Sequence, residues 1–239
     1  MRKPLANALD IDLRGGLTET VTPHAGVALL LETARRRGVI AAADRALPAK
    51  ASPKGLRQGE LVEALVLLSA LGGDCPDDLD GLRRDQGLAA LTGYTLPAAS
   101  TARQWLDRFH DPATLTERPE QGSFSPRETT ALAGRRAGVE RSVLAYVAAV
   151  SPERTVTLDV DAQIVESSKR EALPTYTGER GYQPLLVSWA ETGLVLADAF
   201  RDGNVPASVK IKELVDRAAA ALPTRAAGWA VQVRSDSAA

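Results

Sequence analysis

The sequence predicts an α/β fold in two parts: a helical region over residues 1–150, then a partial mixed sheet over residues 151–239 in the order strand, strand, strand, helix, strand. Three observations carry this expectation. Apolar residues recur at helical spacing up to about Val150. Beyond Pro152 the pattern changes to the two-residue alternation of strands, rich in β-branched side chains. One amphipathic helical stretch, Ser208 to Leu222, then interrupts the strands before a last one.

In the first part, Leu29, Leu30, Leu31 and Ala34 open a helix that Arg35-Arg36-Arg37-Gly38 stops. Leu61, Ala64, Leu65, Leu68 and Leu71 form a second, ended by Gly72-Gly73. A third runs from near Ser100 to about Phe109. Its apolar face carries Ala102, Trp105, Leu106 and Phe109, and its polar face carries Arg103, Gln104, Asp107 and Arg108. Residues 110–123 read as a polar loop. Ser125-Pro126-Arg127-Glu128 then has the form of a helix start, with Ser125 as cap, Pro126 at the first helical position and Glu128 closing a capping box. That helix is expected to pass through Leu132, Val139, Val143, Leu144 and Val147 and to end at Ser151-Pro152.

In the second part, Thr155 to Val165 reads as a strand. Pro184 to Ala190 and Leu194 to Phe200 read as a hairpin around the turn Glu191-Thr192-Gly193. Ile211, Leu214, Val215 and Ala218 mark the inner face of the Ser208–Leu222 helix. Ala230-Val231-Gln232-Val233-Arg234 is the last strand, with Asp236 just past its end.

Composition excludes several chemistries. Basic and acidic residues number 29 and 30, so no global basic field marks a nucleic-acid binder, although a local basic face can still hold phosphate. The single cysteine, Cys75, rules out a disulfide framework or a Cys-based zinc site within one chain. The two histidines, His24 and His110, stand far apart and outside any hydrolase motif. The first residues lack the apolar run of a signal peptide, and no stretch is apolar and long enough to span a membrane, so a cytoplasmic protein is expected.

The chemistry-bearing residues are carboxylates. Asp159 and Asp161 are two apart on one strand and therefore share a sheet face, while Leu158, Val160 and Ala162 point the other way. Charges in mid-strand are costly unless paired or bound to a cation. A hard divalent ion such as Mg²⁺ takes oxygen ligands from one or two carboxylates and leaves positions for phosphate. Asp236, at the end of another strand, is placed to add a ligand. The alternative is plain: a solvated face for Asp159 and a turn for Asp236.

As an ordered set, Thr157-Leu158-Asp159-Val160-Asp161-Ala162, Glu179-Arg180-Gly181-Tyr182-Gln183-Pro184-Leu185, Arg201-Asp202-Gly203-Asn204 and Arg234-Ser235-Asp236-Ser237 resemble the DDE transposases of bacterial insertion sequences, most nearly the IS-thirteen-eighty group. Pro97-Ala98-Ala99-Ser100-Thr101-Ala102-Arg103 and Arg108-Phe109 resemble that family's N-terminal region. The resemblance implies an RNase H-like core, an Asp-Asp-Glu triad and a divalent metal, Mg²⁺ or Mn²⁺. Its first catalytic aspartate corresponds to Asp161 and its second to Asp236, with Asp159 as rival or support for the first. Gln163 stands where the family usually has Thr. The family's glutamate lies well downstream of its second aspartate and has no counterpart here, so the resemblance implies a core truncated at the C-terminus and unable to complete strand transfer. The implied partner is double-stranded DNA at terminal inverted repeats, bound by the protein or by a homodimer of it.

Other residues divide between DNA contact and structure. Arg103, Gln104 and Arg108 suit a DNA groove or phosphate, and equally a solvated helix face. Arg201 and Asn204 suit phosphate, and equally the turn around Gly203. Tyr182 suits DNA or packing. Two other functions stay open: a non-catalytic DNA-binding fragment or regulator, and a metal-dependent RNase H-like nuclease, for which Glu166 and Glu191 are the nearby third carboxylates in sequence.

Overall fold

The computed structural model describes residues 20–48, 50, 53–129, 133, 144, 147, 154–223 and 226–235. Its helical region contains α1 (Val27–Arg36), α2 (Val39–Ala46), α3 (Gln58–Ala70), a 3-10 turn at Pro76–Asp78 leading into α4 (Leu79–Leu82), α5 (Gln86–Thr92), α6 (Ala99–Asp107) and α7 (Ala113–Thr116). The second region contains β1 (Thr155–Ala162), β2 (Val165–Glu166), β3 (Leu173–Pro174), β4 (Arg180–Tyr182), β5 (Leu185–Trp189), β6 (Leu194–Ala199), α8 (Ile211–Ala221) and β7 (Ala230–Ser235).

Helix α3 organises the first region because it is apolar on more than one side. Ala64, Leu67 and Leu68 pack with Val27, Leu31, Leu79, Leu88, Leu96 and Ala102. Leu61 and Val62 pack on another side with Ala43, Leu47 and Trp105. Gly72 closes α3 at φ +82°, and the Gly73 N–H donates to the Leu68 carbonyl at 2.9 Å, so the glycine pair stops the helix as its sequence implies. A half-buried ion pair ties α1 to α3: Arg35 donates to both carboxylate oxygens of the buried Glu63, at 2.9 and 2.6 Å, and Tyr94 donates to the same carboxylate at 3.1 Å. On α6, Ala99, Ala102 and Trp105 face inward, and the Trp105 and Phe109 rings meet edge to face at 4.9 Å.

One expectation for this region is corrected and two are refined. Leu29 and Leu30 point to solvent, and Val27 with Leu31 forms the buried stripe of α1. α1 ends at Arg36, as the stop read at Arg35-Arg36-Arg37-Gly38 implies, but Gly38 also opens a helix not expected from the sequence. At φ +72° it reverses the chain, and α2 starts at the next residue. Residues 125–128 are not helical. The Ser125 hydroxyl donates to the Phe200 carbonyl at 3.2 Å instead of capping a helix, and the Asp202 N–H donates to the Phe124 carbonyl at 3.0 Å. A tertiary hydrogen bond has taken the Ser125 hydroxyl that a capping box would use. Farther along, Leu144 is helical and buried within the core of the sheet region.

The four-stranded sheet has the order β6-β5-β1-β7. β1 pairs antiparallel with β5 and parallel with β7. The hairpin β5–β6 turns at Glu191-Thr192-Gly193 and has a bulge between Val187 and Ser188. Helix α8 packs Leu214 and Ala218 onto one face, against Val156, Leu158, Val160, Leu185, Val187, Trp189, Leu196 and Ala197. This mixed α/β arrangement is consistent with a partial RNase H-like core. The expected first strand is shorter than its alternation suggested, ending at Ala162. Val165 belongs to a second, small sheet of order β2-β4-β3. Among the described residues no helix is long and apolar enough to cross a membrane.

Glycine positions give a paired stability test. A Cβ on Gly203 would lie 2.6 Å from the Gly181 carbonyl and 2.8 Å from the Leu173 carbonyl, whereas one on Gly81 in α4 would meet nothing. Gly203→Ala is expected to cost about 1–3 kcal/mol. Gly81→Ala is expected to gain up to about 1 kcal/mol. Urea unfolding monitored by circular dichroism measures both.

Candidate functional site

The alternation of β1 fixes the site. With Val156, Leu158 and Val160 committed to the core, Thr157, Asp159 and Asp161 face the opposite side of the sheet. On β5, Ser188 pairs with Asp159 and Leu186 with Asp161. On β7, Gln232 pairs with Thr157 and Arg234 with Asp159. The register reaches Ser235 opposite Val160. Asp236 lies outside the described residues.

The two aspartates of β1 differ in their commitments. Asp159 accepts two hydrogen bonds from Arg234, Nε at 3.0 Å and Nη2 at 2.6 Å. That guanidinium holds the Asp159 carboxyl below its ordinary range. Asp161 is exposed, and its carboxylate has no hydrogen-bond or ion-pair partner among the described residues. It borders a cavity of about 530 Å³ whose other walls come from Pro174 to Tyr176, Gln183 and Gly203 to Ala207. A free carboxylate at a strand end suits one oxygen ligand of a hard divalent ion. Among the described residues no group of three His, Cys, Asp or Glu side chains comes together.

Glu191 is drawn to the far end of β1. Its carboxylate accepts from the Thr157 N–H at 2.9 Å and the Thr157 hydroxyl at 2.5 Å. Burial raises its pKa, but these hydrogen bonds outweigh burial and leave it below the usual range. Thr157 and Asp161 are four residues apart, about 13 Å of strand. Glu191 therefore stands away from Asp161. Glu166 is exposed on β2, opposite Gly181.

Arg201 takes a structural position. It is fully buried: Nε donates to the Gln183 carbonyl at 2.9 Å, and Nη1 points at the carbonyls of Pro206, Ala207 and Val209 at 3.3, 3.1 and 2.9 Å. It stitches the loop between β6 and α8 to the end of β4, so its guanidinium is not offered to phosphate. Asn204 is exposed and lines the cavity, with its amide N–H₂ donating to the Gly122 carbonyl at 2.9 Å. Tyr182 packs on Phe200, with ring centroids 4.8 Å apart.

On α6, Arg103, Gln104 and Arg108 are exposed, as the helical period implies. Arg103 is tied to Asp77 by a hydrogen-bonded ion pair. Three features of the site region were not anticipated from the sequence. Gln183 and Tyr176 line the cavity, and the buried Asp202 accepts from Arg118 Nε at 3.0 Å. Gln183 sits inside a motif read for its glycine and aromatic, and the other two lie on loops without a periodic signal.

Two measurements check this geometry. Removing the Arg201 guanidinium in Arg201→Met leaves four buried or partly buried carbonyls without their donor, and about 2–3 kcal/mol of unfolding free energy is expected to be lost in urea melts. For Asp159 the folded pKa is lowered, so its pairing with Arg234 stabilises the protein fully above the unfolded carboxyl value of about 3.9 and ceases to do so as pH falls through the lowered folded value. The thermal midpoint of the wild type should therefore exceed that of Arg234→Gln at about pH 6, and the gap should close on acidification through that window. A gap that widens in acid contradicts the pairing.

The description "transposase DDE domain group 1" matches residues 6–239. Neither a curated protein nor a solved structure matches the chain. The matched span takes in both the helical region and the aspartate-bearing sheet, and the chain belongs to the transposase DDE domain group 1 family.

Proposed function

We propose that this protein is the transposase of a bacterial insertion sequence of the IS-thirteen-eighty group, binding double-stranded DNA at the terminal inverted repeats. Asp161 and Asp236 are its metal-binding carboxylates, with Mg²⁺ or Mn²⁺ as the ion. The observation that carries the reading is Asp161 itself: an unpaired carboxylate on the central strand, beside a cavity, on the face away from α8. The parallel register of β7 supports Asp236 as its companion, because that register runs to Ser235 opposite Val160, one residue short of both aspartates.

Asp159 then acts through Arg234. The ion pair holds β7 beside β1 on the site face and keeps the second carboxylate of β1 occupied. A bound divalent ion supplies Lewis acidity at the phosphate and lowers the pKa of a coordinated water. The third carboxylate of the family's chemistry has no residue assigned to it, so the proposal covers DNA and metal binding. For DNA, the exposed face of α6 is the contact surface. Gln104 and Arg108 have no partner among the described residues, whereas Arg103 must exchange Asp77 for phosphate.

Filter binding to an inverted-repeat duplex tests the reading. The 239-residue chain should bind at low salt, and Arg108→Ala should weaken binding by about threefold to tenfold while lowering the salt slope by about one. Absence of binding by the wild-type chain at low salt contradicts the proposal.

A further inference from the structure

Between α7 and the sheet region the chain lies on the surface. None of residues 116–129 is buried, and none belongs to an apolar cluster. The stretch is closed at its base just past α6, where the Thr129 hydroxyl donates to the Phe109 carbonyl at 3.4 Å. Its middle is held on the loop that follows β6. The Asn204 amide donates to the Gly122 carbonyl at 2.9 Å, the Asp202 N–H to the Phe124 carbonyl at 3.0 Å, and the Ser125 hydroxyl to the Phe200 carbonyl at 3.2 Å. The fourth fastening is Arg118 on Asp202.

These fastenings are unequal. The first three are single hydrogen bonds to backbone carbonyls, each modest against water. The fourth is an ion pair in which Arg118 Nε and Nη2 stand 3.0 and 2.9 Å from one carboxylate oxygen of Asp202, and the two side chains are 19% and 6% exposed. Burial pushes the Asp202 carboxyl up, and the Arg118 guanidinium opposes that. Without Arg118 a buried carboxylate loses its cation. Lifting the stretch away lets water reach that carboxylate, and no apolar core is lost in doing so.

The loop beneath is also a wall. Gly203 to Ala207 line the cavity beside Asp161, and the Asp202 carbonyl accepts from the Val205 N–H at 3.2 Å. Asn204 belongs to both structures, since it lines the cavity and holds Gly122. The sheet itself keeps a separate core of Val156, Leu158, Val187 and Trp189 with α8.

We propose that residues 117–125 are a detachable strap, clasped by Arg118 on Asp202, which opens as a unit apart from the sheet and releases the wall of the cavity beside Asp161. Closed, the strap fixes the Gly203–Ala207 wall. Open, it frees Asp202 and Asn204 while the sheet stays folded. The device does not depend on which molecule the protein binds.

Limited proteolysis and hydrogen exchange of the full chain test it. Arg118→Gln should speed Glu-C cutting after Glu120, an exposed residue of the strap, by about tenfold. Exchange should quicken in a peptide spanning residues 200–205 and stay unchanged in one spanning residues 156–160. Combining Arg118→Gln with Asp202→Asn should bring both rates back toward wild type, because no unpaired charge is left beneath the strap. Unchanged cutting and exchange in Arg118→Gln overturn the clasp. Equal quickening in residues 156–160 overturns the strap as a separate unit. A double variant as open as Arg118→Gln overturns the ion pair as the closing force.

Discussion

The alternation of side chains along β1 governs the second half of the molecule. Val156, Leu158 and Val160 must face α8, because the core there is built from them and from Leu185, Val187 and Trp189. That requirement places Thr157, Asp159 and Asp161 on the other face. A register slip of one residue would drive two carboxylates into the apolar core, at a cost far above the protein's margin of stability. Both neighbours of β1 obey the same phase: β5 sets Ser188 beside Asp159, and β7 sets Arg234 there. The polar face thus follows from the burial of the apolar one.

A second arrangement supports the rim of the site. Arg201 is buried and donates to carbonyls from Gln183 and from Pro206 to Val209, binding the end of β4 to the loop before α8. The close packing of Gly203 against Gly181 and Leu173 tightens the same junction. The segment after α7 is fastened there too, through Arg118 to Asp202, Gly122 to Asn204 and Ser125 to Phe200. The cavity beside Asp161 is therefore walled by loops held from several directions, which favours a preformed site.

The main sheet was legible because its signals are local. Two-residue alternation gave β1, β5, β6 and β7, the Glu191-Thr192-Gly193 turn gave the hairpin, and the helical period gave α8. The small sheet was not legible: strands of two and three residues carry too little periodicity to read. Helix α2 was missed because Gly38 has the form of a stop, and a left-handed glycine can equally launch a new helix at a different angle. Ser125 to Glu128 carries a good capping signal that distant carbonyls override. In sequence Arg201 suits phosphate or a turn alike, and only tertiary structure brings four carbonyls to its guanidinium. The same limit applies to the cavity, whose walls come from β1, the small sheet and the loop before α8.

Asp161 is the residue on which the functional account turns. The most direct measurement is a Mn²⁺ titration of the full chain, followed by the loss of the free ion's paramagnetic resonance signal, for the wild type, Asp161→Ala and Glu191→Ala. The account predicts saturable binding in the wild type and in Glu191→Ala, and its loss in Asp161→Ala. Unchanged Mn²⁺ affinity in Asp161→Ala would contradict it.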